Sequence, residues 1–190
     1  VTKIDVVAKT VYKHWAENQD REYLDEWGEI SPNKGALQIV FADLGTPATD
    51  GRWDAYNELR NQLVRRGVPA SQVRFIHEAA NDRAKADLFQ QARDGRVQVL
   101  IGSTVQARAI ALHHIDAPWR PADVTQREGR EIRQGNQNAE VHLYRYATEG
   151  SFDAYMWGTL ARKAAFIEQV LTGRLDVREP RRGDAIEPDA

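Results

Sequence analysis

Short apolar runs alternate with amphipathic segments along most of this chain, and that alternation limits its fold more than any other feature. The runs have the length and apolar character of strands in a parallel sheet that is covered on both faces. They lie at 37–43, 73–78, 97–103, 109–116 and 140–148. Segments with helical spacing lie at 53–67, 82–95 and 151–173. Strands and helices that alternate in this way are joined by right-handed crossovers, so we predict an α/β fold: a doubly wound parallel sheet with helices on both faces.

The chain has the length of one domain. Its 190 residues, of which 42% are hydrophobic, suffice for one sizeable core and little more. Residues 1–36 form a lead-in, and apolar residues recur at helical spacing in its first twenty positions. The sheet domain is predicted at 37–175. The remaining residues, 176–190, are charged and interrupted by proline and glycine, and we expect them to be disordered.

Charge and cysteine content exclude several classes of function. The formal net charge is -2, so any binding to nucleic acid has to depend on a local patch. The absence of cysteine excludes a disulfide framework, a thiolate metal site and a cysteine nucleophile, and it fits the reducing cytoplasm. No apolar run approaches the roughly 18 residues of a membrane span, and no signal peptide opens the chain. We expect a cytoplasmic protein.

Two features that could be taken for metal sites are better explained as structural. His113 and His114 are neighbours on a predicted strand, so their side chains point to opposite faces and cannot easily share a metal. The acidic stretch DEWG at 25–28 follows no hydrophobic strand and is typical of a solvated turn. A phosphate-binding GxxxxGK[ST] motif is also absent from the sequence. The sequence therefore offers no metal site.

Residues 126–138, QREGREIRQGNQN, follow the fourth predicted strand and differ from the rest of the chain in composition. They combine arginine, glutamine and glycine, and Ile132 is their sole large hydrophobe. In an open parallel sheet, ligands bind beyond the carboxyl ends of the strands, so this segment and GST at 102–104 lie where chemistry is expected. The planar fork of arginine can hold phosphate oxygens with two parallel hydrogen bonds.

A helix through 124–133 would place Gln126, Arg130 and Arg133 on one face, where they could form an anion clamp. The spacing is equally compatible with a solvated stripe in which these arginines pair with the glutamates of the same helix. Gln126 also fits a capping box with Asp123, in which case it only closes the helix. The residues alone leave these alternatives open.

The stretch IDAPWRPADVTQREGREIRQGNQN resembles the end of the second RecA-like lobe of superfamily 2 helicases and translocases, especially the Swi/Snf-type ATPases. Their pattern there is approximately D-x-x-W-x-P, then Q, then R-x-x-R-x-G. It is matched in order by Asp116, Trp119, Pro121, Gln126, Arg130, Arg133 and Gly135.

The resemblance extends over nearly the whole chain. LQIVFADLGTP is similar to the first strand of the lobe, motif IV, and FIHEAANDRAKADLFQQARDGRVQVLIGST is similar to the strand–helix–strand unit that leads into motif V. VHLYRYATEGSFDAYMWGTLARK resembles the closing strand and helix. The likeness is greatest to helicase regions of large bacterial, phage and plasmid proteins, some of which also carry an adenine-methylase domain.

The resemblance implies a RecA-like lobe that works only with a partner. In that family, ATP and Mg²⁺ are bound between two lobes, and the first lobe supplies the phosphate loop, the magnesium-binding acids and the water-activating glutamate. The second lobe supplies arginine fingers, which correspond here to Arg130 and Arg133. Gln126 would join the network between the lobes, and Gly129 would let the backbone approach the partner closely. The expected function is the second lobe of an ATP-dependent DNA helicase or translocase, with double-stranded DNA and the first lobe of the same parent chain as partners.

The motif V region departs from the family. Gly102, Ser103 and Thr104 resemble the family's GST, which in relatives contacts the nucleic-acid backbone. The family continues with a glycine-rich loop similar to KMGxGTN, whereas here Thr104 is followed directly by VQ. Because the flanks match on both sides, we expect a mobile loop lost from this sequence rather than a true deletion. The gap favours the alternative function, a degenerate lobe that binds DNA or a protein without catalysis.

Trp119 belongs to the matched pattern. We expect it to pack in the turn before the arginine-rich helix rather than to stack on bases.

Overall fold

The structure, a computed structural model, describes residues 2–43, 47–48, 50–102, 108–131 and 135–172. The side chains of residues 130, 131 and 170–172 lie outside this description. The expected tail at 176–190 and the join between Thr104 and Val105 also lie outside it.

The described residues form a five-stranded parallel sheet with helices on both faces. The strands are β1 (Leu37–Phe41), β2 (Val73–Phe75), β3 (Val99–Ile101), β4 (Ala109–His114) and β5 (His142–Arg145). The α-helices are α1 (Lys3–Asn18), α2 (Ala55–Arg65), α3 (Asp82–Arg93), α4 (Pro121–Glu131) and α5 (Phe152–Thr172). The strand order is β2-β3-β1-β4-β5, and every neighbouring pair is parallel. The predicted α/β fold is confirmed.

The second strand is shorter than its apolar run predicts. It ends at Phe75, and Ile76–Glu78 form a 3-10 turn instead. The side chain of Glu78 folds back to accept hydrogen bonds from Arg60 and from Arg74 Nε, the latter at 2.5 Å. These two ion pairs fasten the turn to α2 and to β2, and they end the strand.

One face of the sheet is covered by α1 and α2, whose apolar stripes share a buried cluster with side chains of β1, β2 and β3. A capping box starts α1: the Asp5 N–H donates to Thr2 Oγ1 (3.2 Å), and the Thr2 N–H donates to Asp5 Oδ2 (2.7 Å). The helix predicted in the lead-in therefore exists, and it packs on the sheet.

The opposite face is covered by α3, whose Leu88 and Ala92 pack against Ile39, Leu100 and Leu112 of the sheet. Helices α4 and α5 contact each other, and α5 reaches β4 on the same face. No described helix combines the length and the apolar character needed to cross a membrane.

The two neighbouring histidines of β4 lie on opposite faces of the sheet, as predicted. His113 bonds to Tyr146 on the side of α1, with 2.8 Å between Nδ1 and the hydroxyl. His114 stacks on Phe41 (ring centroids 5.0 Å apart) and meets the ring of Trp157 in α5 edge-on. Within the described residues, no group of three or more histidine and acidic side chains is arranged to hold a metal.

Candidate nucleotide and nucleic-acid site

The carboxyl ends of β1, β3 and β4 meet at one edge of the sheet, and each is followed at once by a residue that belongs to the candidate site. β1 is followed by Ala42 and Asp43, β3 by Gly102, and β4 by Ile115 and Asp116. Since the open parallel sheet places ligands beyond this edge, these positions define where the lobe can act. The arginine-rich helix α4 starts just after the end of β4.

Helix α4 begins earlier than the helix through 124–133 that the sequence suggested. Its first residue is Pro121, rather than a residue near position 124, and Asp123 therefore lies in the first turn instead of at the N-cap. Proline is favoured at the first helical position because its fixed φ suits the helix and its missing N–H has no helical partner there. This start excludes the alternative in which Gln126 closes a capping box with Asp123.

Arg127 anchors α4 to the end of β1. Its two terminal nitrogens donate to the two carboxylate oxygens of Asp43, over 3.0 and 2.9 Å. The guanidinium also lies 4.8 Å from the centre of the Phe41 ring. A bidentate arginine–carboxylate pair fixes orientation as well as distance, and the aromatic ring adds a cation–π contact. The first anchor of α4 therefore leads to the strand at the centre of the sheet.

Glu128 supplies a second anchor, to the last two strands. Arg145 Nη2 in β5 donates to its two carboxylate oxygens over 2.8 and 3.1 Å, and Nε2 of the buried His114 in β4 lies 3.4 Å from the nearer one. Burial acts to raise the pKa of Glu128, but contacts with His114 and Arg145 outweigh it, so the pKa falls below its ordinary value. Glu128 is therefore held as a carboxylate by its own lobe. It is already engaged by Arg145, outside the helix.

Gln126 lies on the other side of α4. Its side chain is exposed, whereas those of Arg127 and Glu128 turn toward the sheet. Position 130 follows Gln126 by one helical turn on that side. A Cβ placed on Gly129 would meet none of the described residues within 4 Å, so this part of the helix backbone is open. The outer side of α4 therefore has room for another body of protein or for a ligand.

Several predicted site residues cannot be placed beyond their sequence position. Arg130 lies in α4, but its side chain is outside the description, and Arg133 lies outside it altogether. The same holds for Ser103 and Thr104 in motif V.

Gly102 is described, and its backbone explains the residue type. It has φ +96°, in the region that favours glycine, and an added Cβ would lie 2.8 Å from Ile76 Cγ2. The same Cβ would lie 3.5 Å from His77 Cε1 and 3.6 Å from the Tyr56 hydroxyl. Both the positive φ and the close contact with Ile76 therefore favour glycine where the chain leaves β3, next to the start of α2.

The prediction that Trp119 packs in its turn is wrong. Its side chain is 71% exposed. The buried apolar residue at this end of β4 is instead Ile115. Trp119 instead borders a cavity of about 310 Å³ at the carboxyl edge, together with Asp43 and Arg127.

The solvated turn predicted at 25–28 is confirmed. Its first carboxylate, that of Asp25, accepts hydrogen bonds from the backbone N–H groups of Trp27 and Glu29 (3.0 and 2.9 Å), and Trp27 is 78% exposed.

Two important residues escaped the sequence reasoning. Arg127 lies outside the stripe of Gln126, Arg130 and Arg133, and Asp43 is an isolated acid whose one sequence signal is its place just after a buried strand. Lys3 is a further example. Its Nζ donates to Asp153 (2.6 Å) and to the carbonyl of Ile115 (2.8 Å), so that the first helix is tied to the start of the last.

Comparisons with known proteins agree with this architecture. No protein-family model matches the chain. Defense against restriction protein B of Escherichia phage P1 is 31% identical over 147 residues, which are 75% of this chain and 6% of that protein. The uncharacterized ATP-dependent helicase YqhH of Bacillus subtilis (strain 168) is 33% identical over 166 residues, which are 80% of this chain and 28% of that protein. The C-terminal domain of the DEAD-box protein Dbp5 superimposes with a TM-score of 0.54 at 19% identity, covering 86% of this chain and 79% of that domain.

The chain therefore spans only a small part of the length of the relatives that it matches. Its fold and its sequence similarity agree on the class of protein. The parallel sheet has the RecA-like fold of the Dbp5 C-terminal domain, while sequence similarity independently leads to a named helicase. By fold and by sequence similarity, this chain matches the C-terminal RecA-like lobe of superfamily 2 helicases.

Proposed function

We propose that the chain is the second RecA-like lobe of an ATP-dependent DNA helicase or translocase and is inactive without the first lobe. In this proposal Arg130 and Arg133 act as arginine fingers toward the phosphates of ATP, which the first lobe holds with Mg²⁺. Gln126 and Gly129 lie against the nucleotide and the first lobe. The observation that carries the proposal is that α4 has two ion-pair anchors on its inner side, while its outer side is open at Gly129 and exposed at Gln126.

The anchors fit the demands of phosphoryl transfer. That reaction is catalysed mainly by positioning and by neutralising the charge that develops on the transferred group. An arginine finger is effective only when the helix that carries it is held in place, because small displacements of catalytic groups cost large factors in rate. Arg127 and Glu128 supply such a hold from within the lobe.

The proposed contact with nucleic acid lies at Gly102, Ser103 and Thr104. Gly102 directly follows β3 at the carboxyl edge, where ligands of an open parallel sheet bind. The net charge of -2 makes such a contact local rather than global. Double-stranded DNA is the proposed substrate, by the likeness to the Swi/Snf-type ATPases.

The decisive experiment measures ATP hydrolysis by the parent protein that carries both lobes, at saturating double-stranded DNA. Arg133→Ala should reduce turnover by about 10³- to 10⁵-fold, the range known for arginine fingers, while circular dichroism shows an unchanged fold. Arg133→Lys should rescue poorly, because lysine keeps the charge but loses the planar fork. Arg65→Ala, at an exposed arginine of α2, is the matched control and should leave turnover unchanged.

Normal turnover in both Arg133 variants would refute the finger assignment. That result would favour the alternative, a lobe that binds DNA or a protein without taking part in catalysis.

A further inference from the structure

Trp53 is 72% exposed and stands at the carboxyl edge of the sheet, just before α2. Its position is firmly held, because the next residue, Asp54, caps the helix. The Asp54 carboxylate accepts hydrogen bonds from the N–H groups of Asn57 (2.8 Å) and Ala48 (3.0 Å), and from the Asn57 side chain (2.7 Å). The indole ring of Trp53 is thus exposed to solvent on a backbone that the Asp54 cap holds in place. Such a backbone reduces the conformational entropy that is lost on binding.

Contacts between side chains lead from this cap to Gly102. Tyr56, three residues after Trp53, donates from its hydroxyl to the carbonyl of Ala42 at the end of β1 (2.6 Å). The ring of Tyr56 meets the exposed His77 edge-on at 5.4 Å. Both side chains border Gly102, as the space around an added Cβ shows. Tyr56 and His77 therefore place the start of α2, which directly follows Trp53 and Asp54, next to the proposed motif V contact.

A positive charge directly precedes Trp53 in the chain. The Arg52 side chain is 83% exposed, and its Nε donates to Asp50 over 2.7 Å. An ion pair this exposed contributes little to stability, so the guanidinium can exchange Asp50 for a phosphate at small cost. Exposed aromatic rings next to arginine are the combination with which proteins hold single strands: the ring stacks on a base, and the cation holds the backbone.

We propose that Trp53 stacks on an unpaired base of the nucleic acid, and that Arg52 contacts a phosphate next to that base. This inference deepens the proposed function, since it depends on a nucleic-acid contact at Gly102, and it adds Arg52 and Trp53 to that contact. Unpaired bases arise wherever a duplex is opened or ends in a single strand. The chemistry that Trp53 recognises is the flat face of a base, without preference for its identity.

The test uses the full-length protein and two fluorescein-labelled single strands of equal length, one of thymidines and one of abasic sugar-phosphate units. Trp53→Ala should bind the thymidine strand about 5- to 150-fold more weakly than the wild type, the factor expected for one lost stacking contact. Trp53→Phe should recover most of the affinity, because it restores an aromatic face. On the abasic strand, wild type and Trp53→Ala should bind alike, since only phosphates are left to contact.

Trp27→Ala is the matched control. Trp27 is exposed to a similar degree but lies in the turn that precedes the amino end of β1, so its removal should leave binding unchanged. Equal affinity of wild type and Trp53→Ala for the thymidine strand would overturn the inference and leave the proposed function standing. An equal loss of affinity by Trp53→Ala on the thymidine and abasic strands would also overturn it. So would a loss of ATP turnover by Trp53→Ala with unchanged DNA affinity, which would indicate that Trp53 packs on the first lobe. A wild-type protein that binds no nucleic acid would refute the proposed function itself.

Discussion

His113 should make the stability of this lobe depend on pH. It is fully buried in β4, and a chain of hydrogen bonds requires its neutral form. Tyr146 donates its O–H to Nδ1 (2.8 Å), Nε2–H donates to Gln38 Oε1 (3.0 Å), and the Gln38 amide donates to the carbonyl of Val11 in α1 (2.9 Å). The amide fixes which way Gln38 faces, and this in turn fixes the tautomer of the imidazole. A proton on Nδ1 would reverse this bond, because the hydroxyl of Tyr146 would then have to accept it.

Burial, with smaller contributions from the neighbouring His14 and His114, lowers the pKa of His113 from 6.5 to about 3. The unfolded chain therefore takes up a proton below pH 6.5 that the folded chain refuses until about pH 3. Folding is not penalised above pH 6.5, and stability falls as the pH drops from there toward 3, by about 1.4 kcal/mol per pH unit. At pH 5 the loss amounts to about 2 kcal/mol, a large part of the stability of an ordinary domain.

Urea unfolding of the chain between pH 7 and pH 4 measures this loss. The slope of the unfolding free energy against pH should be smaller in His113→Phe by nearly one proton's worth, although the variant itself is less stable because Tyr146 and Gln38 lose a partner. Tyr146→Phe is the matched control. It removes a hydrogen bond to the imidazole without removing the group that titrates, so it should lower stability at every pH and keep most of the slope. Identical slopes in the wild type and His113→Phe would refute the reasoning.

Three further predictions concern the candidate site. A double-mutant cycle of Asp43→Ala and Arg127→Ala, followed by urea unfolding, should give a coupling energy of about 1 kcal/mol, reduced from the full value of a bidentate pair by partial exposure; additive effects would contradict the anchor. Gly102→Ala should lower the unfolding free energy by about 1–3 kcal/mol, because its φ is positive and its Cβ would press on Ile76; a melting temperature equal to the wild type's would show that the backbone there can relax. Gly129→Ala should raise the stability of the lobe by up to about 1 kcal/mol, since alanine favours the helix and the space is open, yet it should lower ATP turnover of the parent protein; unchanged turnover would argue against close approach at this position.

The centre of the sheet was predictable because β1, β3 and β4 are buried on both faces, which demands short, mostly apolar runs. The edge strand β5 is mostly exposed and includes polar residues. The exact ends of the strands were harder to predict. The run that begins at Val73 continues with apolar residues as far as Ile76, apart from Arg74, but the strand ends at Phe75. Glu78 pairs with Arg74 and with Arg60 of α2, and a local pattern does not reveal a partner from another element. The start of α4 was missed although proline at the first helical position, Pro121, is a usable signal.

The site was predictable only in part, for a related reason. Gln126 and the arginines after it stand in a pattern that resembles a family, so sequence alone singled them out. Arg127 occupies none of the positions that define that pattern, and its partner Asp43 is 84 residues away in the sequence. Ion pairs between distant elements depend on the strand order, which places β1 beside β4, and the local sequence does not encode that order.

The Asp43–Arg127 pair joins the two halves of the proposed site. Asp43 opens the connection between β1 and α2, and that connection ends at Trp53, the proposed contact with a base. Arg127 belongs to α4, the helix of the proposed arginine fingers. If the proposals hold, one ion pair across the end of β1 separates the segment that contacts nucleic acid from the helix that contacts ATP. The bidentate geometry of the pair therefore fixes α4 relative to the end of β1, and with it the separation of the two proposed contacts within this lobe.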